Sequence, residues 1–371
     1  MADPKLFTPG PLTTSPSVKA AMLHDWGSRD GAFIDMTARV TDQLVALVDA
    51  RASHECILVQ GSGTFAVEAM LSTAIAPGAK TLVLANGAYG ERIIEMFDYL
   101  GREAIVHREC ETTAADVARL DAALKADRDI QFVCVVHCET TTGILNPLAD
   151  IAGVVSAAGR HLIVDAMSSF GALPLSVDNV PFTALAASSN KCLQGAPGVG
   201  FSIIDKAHLK TCQGNSHSLS LDLFAQSKGF HANGQWRFTP PTHVLASLDQ
   251  ALTEHANEGG VPGRYRRYTE NCRTLLEGMS GLGFQSALDA HAQAPIITTF
   301  LTPEDHRFDF DRFYRALATR GDLIYPGKLT NADTFRIGCI GDLDKRDITQ
   351  LLAHIGDVLA EMGFENGRVS A

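Results

Sequence analysis

Short apolar runs alternate with longer amphipathic stretches through the first two thirds of the chain. Cys56–Gln60, Thr81–Ala85, Ala104–His107, Phe132–His137 and His161–Asp165 are brief, apolar and rich in β-branched residues, which predicts strands. Ala66–Ala76, Ile93–Leu100, Ala115–Leu124 and Leu148–Ala158 fall between them and predict helices. A further helix is expected around Met36–Asp49, where Val40, Leu44, Leu47 and Val48 share one face. The run Phe182–Lys191 and the run Gly200–Ile204 predict two more strands. Alternation of this kind implies an α/β fold with a mostly parallel central sheet, helices on both faces and right-handed crossovers.

The two ends of the chain read differently. Residues 1–15 are rich in Pro, Gly and Thr and predict an extended N-terminal segment, with Ser15-Pro16 as the cap and first turn of a helix. After about residue 205 the alternation breaks, and 214–242 is expected to be irregular. A helix over Val244–Glu258 stops at Gly259-Gly260. The tail predicts helix (264–278), strand (295–301), helix (309–320), strand (334–338) and helix (346–362). The expected organisation is a large α/β domain over 16–258 and a smaller C-terminal α+β domain over 259–371.

Composition narrows the function classes. A chain of 371 residues with 46% hydrophobic and 20% charged residues is ordinary for a globular enzyme. The formal net charge of −11 argues against a nucleic-acid or membrane-surface partner. It leaves a small anion possible where helix ends and an arginine supply local positive potential. The eight cysteines are scattered without a Cys-x-x-Cys pair, so no metal site is expected and a reducing compartment is. No signal segment is evident, and no apolar run approaches the ~20 residues of a membrane span. Cytoplasm is the expected location.

The chemistry lies where the apolar runs end. Asp165 closes one run and Lys191 another, at the edge of the sheet where open α/β folds bind ligands. A solvated strand end or a helix cap would explain either residue alone. A buried amine and a buried carboxylate together suit pyridoxal phosphate (PLP): the lysine forms the Schiff base, and the carboxylate keeps the pyridine nitrogen protonated. Gln60-Gly61-Ser62-Gly63-Thr64 is a glycine-rich strand-to-helix turn suited to a phosphate. It is not a dinucleotide fingerprint, because Ala66 stands where the third glycine belongs. Tyr89, between glycines in Asn86–Gly90, can stack on a flat ring or pack into the core. Cys138-Glu139-Thr140-Thr141-Thr142-Gly143 brings three hydroxyls to a strand end, for ligand or turn bonds. Arg336, inside the apolar strand 334–338, needs an anionic partner: a substrate acid or a structural carboxylate.

Several stretches carry a family resemblance. They are Thr8–Thr14, Gln60–Gly63, Glu139–Gly143, Val164–Gly171, Asn190–Cys192, Ser218–Leu223, Trp236–Thr239 and Ile324–Lys328. On these the chain resembles, almost end to end, the fold-type I PLP enzymes of the alanine–glyoxylate aminotransferase group. Ser218–Leu223 and Tyr325–Lys328 look specific to its phosphonate-type members, which pass the amino group of 2-aminoethylphosphonate to pyruvate, giving phosphonoacetaldehyde and L-alanine. The resemblance implies Lys191 as Schiff-base lysine and proton shuttle, and Asp165 on the pyridine nitrogen. It implies Tyr89 stacked on the ring, with Thr140 and Met167 lining it. Ser62, Gly63, Thr64 and Asn190 would hold the phosphate, with Thr239 reaching in from the second subunit of a homodimer. Arg336 and Gly10 would bind the substrate. The pattern departs at His217, where an arginine is expected before Ser218, and over Trp26–Phe33. Rival readings are an alanine- or serine-glyoxylate aminotransferase, a cysteine desulfurase and a non-catalytic binding protein. The desulfurase lacks its nucleophile, because no cysteine lies between Cys272 and Arg336.

Overall fold

The computed structural model describes residues 3–369 except 328, 330 and 331, and except the side chain of Asn366. Lys328, the last residue of one family-like stretch, therefore lies outside the described residues. A seven-stranded sheet forms the centre, in the spatial order His54–Gln60, Val199–Asp205, Ala184–Ser188, His161–Asp165, Phe132–Val136, Thr81–Ala85, Ala104–Arg108. Val199–Asp205 runs antiparallel to both neighbours, and the other neighbouring pairs are parallel. Gln60, Ala85, Val136, Asp165 and Ser188 thus all end at the same edge.

Strand parity decides which face each side chain takes. Val133 and Val135 join the core beneath helices Gly31–Ala46, Val117–Ala126, Leu148–Ala157 and Thr242–Asn257. Phe132, Cys134, Val136 and Ile163 face the other way, toward helices Gly63–Ala74, Ala88–Tyr99 and Leu223–Asn233. Asp165 falls two residues after Ile163 and continues its row. It therefore emerges on the face where the helices Gly63–Ala74 and Ala88–Tyr99 begin. Ala184 and Ala186 occupy the same face of the next strand, and their small side chains let the helix Gly63–Ala74 pack close.

A separate core of Leu275, Phe300, Phe313, Phe335, Ile337, Leu351 and neighbours holds the C-terminal domain. It sits between the three-stranded sheet Ile297–Leu301, Thr334–Gly338, Tyr325–Pro326 and the helices Gly260–Gly281, Phe310–Thr319 and Lys345–Glu361. Each such buried side chain stabilises by about 1.5–3 kcal/mol. Phe7 belongs to this core, and Lys5–Leu6 pairs with Asp322–Leu323, so the N-terminal segment is fastened to the small domain. Ser15 caps the helix Pro16–Ala20, accepting from Val18 N–H at 3.1 Å, as its position before proline implies.

Two expectations need correcting. The stretch 214–242 is not irregular throughout: Leu223–Asn233 is a helix, capped by Asp222, whose carboxylate accepts from Ala225 N–H at 2.9 Å. Its inward positions include Gln226 and Ser227, so no apolar period marks it. The strand expected to run to Lys191 stops at Ser188. Lys191 sits beyond it in a turn closed by Gln194 N–H to Lys191 O at 2.8 Å. Gln194 takes the left-handed φ of 65° that this tight exit requires.

Candidate active site

The shared strand edge gathers the chemistry-bearing residues. Asp165 is buried, and its Oδ1 accepts from Met167 N–H at 2.9 Å. Burial pushes its carboxyl up to about 6, with Glu139 adding to the rise and the Met167 N–H, Lys191 and Arg92 opposing it. Lys191 donates from Nζ to Pro9 O at 2.7 Å. Burial brings its amine down to about 8, and Arg336 adds to this, while the Asp165 charge pulls the other way. Burial thus draws both titrations toward pH 7, where an acid or base working at that pH is most effective.

Close approaches explain the glycines. A Cβ on Gly10 would lie 2.7 Å from Lys191 Cδ and 2.8 Å from its Nζ, and Gly10 has φ +122°. The N-terminal segment therefore lies directly over the amine. A Cβ on Gly63 would lie 2.3 Å from Met167 Sδ, so the phosphate-type turn and the second residue after Asp165 touch. Ser62 is the N-cap of helix Gly63–Ala74 and makes no side-chain cap bond. The first-turn amides of that helix have no intrahelical acceptor and carry the positive end of its dipole. Ser62 and Thr64 are exposed beside them.

Gly63, Thr64, Tyr89, Asp165 and Met167 line one small cavity together with Arg92. Tyr89 heads the helix Ala88–Tyr99, and Arg92 lies 4.9 Å above its ring centroid. Arg336 is buried, donating from Nε to Pro326 O at 3.0 Å and from Nη1 to Thr140 O at 2.8 Å. Its Nη2 is buried with no hydrogen-bond partner among the described residues. Among the described residues no carboxylate pairs with it within salt-bridge distance, which weighs against a structural salt bridge as its explanation. Burial lowers its basicity, and Tyr89, Tyr325 and Glu139 pull it back. Asn190 follows the strand Ala184–Ser188 and sits beside Lys191.

Thr239 stands apart. It is exposed and lines a different cavity, with Ser28, Arg29 and Arg237. Another groove lies over the edge strand, beside Glu55, Ser227 and His231, and contains neither Lys191 nor Asp165. Among the described residues, no group of three or more His, Cys, Asp or Glu side chains is placed to hold a metal, and no helix is long and apolar enough to cross a membrane.

Two residues at the site carry no role in the sequence reading. Arg92 lies one turn after Tyr89, on the same helix face, and that spacing is the available signal. Glu139 is fully buried in the hydroxyl-rich loop; an acid amid threonines after an apolar strand marks it.

The class-V aminotransferase model matches residues 19–318. The chain belongs to the class-V aminotransferase family. It is 52% identical over 365 residues, 98% of either chain, to a 2-aminoethylphosphonate–pyruvate transaminase of Pseudomonas fluorescens. It is 51% identical over 362 residues, 97% of either chain, to one of Pseudomonas aeruginosa. Among solved structures it is similar to the alanine–glyoxylate aminotransferase of a Nostoc species, with a TM-score of 0.89 and 24% identity, covering 97% of this chain and 96% of that one. That likeness shows the fold: a PLP fold-type I aminotransferase, as the alternating pattern and the resemblance imply. Class-V aminotransferases work with pyridoxal phosphate, and the residues here suit it: a buried carboxylate, a buried amine and open helix amides at one edge.

Proposed function

We propose that this aminotransferase passes the amino group of 2-aminoethylphosphonate to pyruvate, yielding phosphonoacetaldehyde and L-alanine. The observation that carries an acidic substrate is Arg336: a buried guanidinium with one N–H group unpaired among the described residues, its other two groups tied to carbonyls. The relatives at 52% and 51% identity, named for that reaction, support phosphonate as the acid.

Pyridoxal phosphate, when bound, supplies an aldehyde for the amine and a ring that draws electrons from the substrate carbon. Asp165 would hold a proton on the ring nitrogen. Ser62, Gly63, Thr64 and Asn190 would take the phosphate, using the amides at the start of helix Gly63–Ala74. Tyr89 and Met167 would face the ring, with Thr140 at its margin. Lys191 Nζ would take the proton from the amino-bearing carbon of the substrate and hold it for return. An amine near 8 is neutral often enough at pH 7 to do so. Gly10 and the Pro9 carbonyl, lying over Nζ, would cover the amine and limit water. Arg336 would anchor the phosphonate and, in the second half-reaction, the carboxylate of pyruvate.

The same reading makes the enzyme a cytoplasmic homodimer with shared sites. Thr239 is exposed and outside its own chain's cofactor cavity. Phe65, Leu219 and Phe238 are exposed at 50%, 72% and 48%, apolar side chains that a second copy would cover. Thr239→Val should weaken cofactor binding only if the two chains share sites.

Rates on 2-aminoethylphosphonate, serine and alanine test the substrate. The phosphonate should lead by at least an order of magnitude; preference for serine or alanine with glyoxylate would overturn the proposal. Lys191→Ala should abolish turnover and the visible absorbance of the lysine-bound cofactor.

A further inference from the structure

We propose that Glu139 is a positioning residue that locks the ring-facing Tyr89 and the substrate anchor Arg336 into one unit. The inference rests on the site reading above and adds to it a residue that touches neither substrate nor cofactor.

Glu139 is fully buried. Its Oε2 accepts from Tyr89 N–H at 3.0 Å and Gly90 N–H at 3.2 Å. Its Oε1 accepts from Thr141 N–H at 3.1 Å and from the Thr141 hydroxyl at 2.6 Å. That hydroxyl oxygen in turn accepts from Ala88 N–H at 3.0 Å. The first three amides of helix Ala88–Tyr99 are therefore held by one carboxylate and one hydroxyl. The intervening Thr140 offers its carbonyl to Arg336 Nη1 at 2.8 Å. A continuous path runs from Tyr89 through Glu139 and Thr140 to Arg336.

A simple helix cap does not account for this arrangement. A cap is ordinarily supplied by the residue just before the helix, and here that residue is Gly87, which has no side chain to give. The acceptor comes from a loop some fifty residues away, the same loop that orients Arg336. Gly87 makes the room: a Cβ there would lie 2.4 Å from Glu139 Cγ and 2.5 Å from Cδ. A carboxylate suits the task because it only accepts, and its two oxygens meet four donors at the positive end of a helix. An amide cannot replace it: its NH2 group would face N–H donors on one side or the other.

Glu139→Gln tests this in the loaded enzyme. The variant should keep its fold and its cofactor. KM for 2-aminoethylphosphonate and for pyruvate should each rise about tenfold, the effect of losing about two such bonds. The visible circular dichroism of the bound cofactor should fall as KM rises. Glu139→Asp, which retains both oxygens, should recover part of both. A lower melting temperature with unchanged KM and dichroism would make Glu139 a purely structural residue and overturn the inference. Gly87→Ala, which displaces the carboxyl without altering its charge, should reproduce the Glu139→Gln shifts. If both variants fail to fold, hydrogen exchange in the wild-type protein decides: Tyr89, Gly90 and Thr141 amides should be protected as one group, and rapid exchange at Tyr89 and Gly90 would overturn the inference. If the wild type does not use 2-aminoethylphosphonate, the substrate reading fails, while dichroism and amide exchange still judge Glu139.

Discussion

The amine of Lys191 should capture the cofactor aldehyde with a pH dependence set by burial. The structure lowers this amine from 10.5 to about 8, burial being the largest cause. At pH 7 the neutral, nucleophilic fraction is then about one in ten, against about one in 3,000 for an unshifted lysine, a gain of about 300-fold. Mixing cofactor-free protein with pyridoxal phosphate and following visible absorbance from pH 6 to 10.5 measures it. The rate constant should climb about tenfold per unit below pH 7 and level off near pH 8. Asp165→Asn removes a charge that pulls the amine upward, so the bend should move to lower pH. A bend at pH 10 or above would refute the reasoning, as would an upward shift in Asp165→Asn.

Three further outcomes follow from the same geometry. Arg336→Gln should lower kcat/KM for the phosphonate about 100-fold, a loss of about 3 kcal/mol for a buried charge-assisted contact from Nη2, with little change in cofactor affinity by absorbance titration. Gly63→Ala should weaken cofactor binding, because its Cβ would lie 2.3 Å from Met167 Sδ; adding Met167→Ala should restore much of the affinity in the same titration. Lys191→Met should stabilise the cofactor-free protein at pH 7 by up to about 3 kcal/mol in denaturant unfolding. The sign follows from the lowered amine, whose folded-state contribution is fully present above pH 10.5 and is lost as pH falls toward about 8. The gain should therefore vanish above pH 10.5.

Much of the frame was legible because it rests on local periodicity. Thr81–Ala85 and Thr334–Gly338 have the bounds their apolar patterns predict. The period-2 row Ile163, Asp165 is enough to put the carboxylate on the helix-start face. What was not legible depends on distant partners. The helix Ala88–Tyr99 begins five residues before Ile93, where its pattern becomes apolar, because Glu139 supplies its cap from another strand end. The helix Leu223–Asn233 hides behind polar inward residues, although Asp222 offered a local capping signal. The apolar pattern carries the expected strand on to Lys191 because Ala184–Ser188 is apolar up to a pair of small polar residues, and periodicity does not show where a chain leaves the sheet. The unpaired Nη2 of Arg336 is a property of three-dimensional packing, and sequence could show only that an arginine in an apolar strand required explanation.

The most direct measurement of the central claim is product formation from 2-aminoethylphosphonate with pyruvate as the acceptor. The purified, PLP-loaded enzyme should form phosphonoacetaldehyde and L-alanine in equal amounts, and Lys191→Ala should form neither. Alanine or aldehyde at background level, from an enzyme that is loaded and active on another amino donor, would contradict the phosphonate assignment.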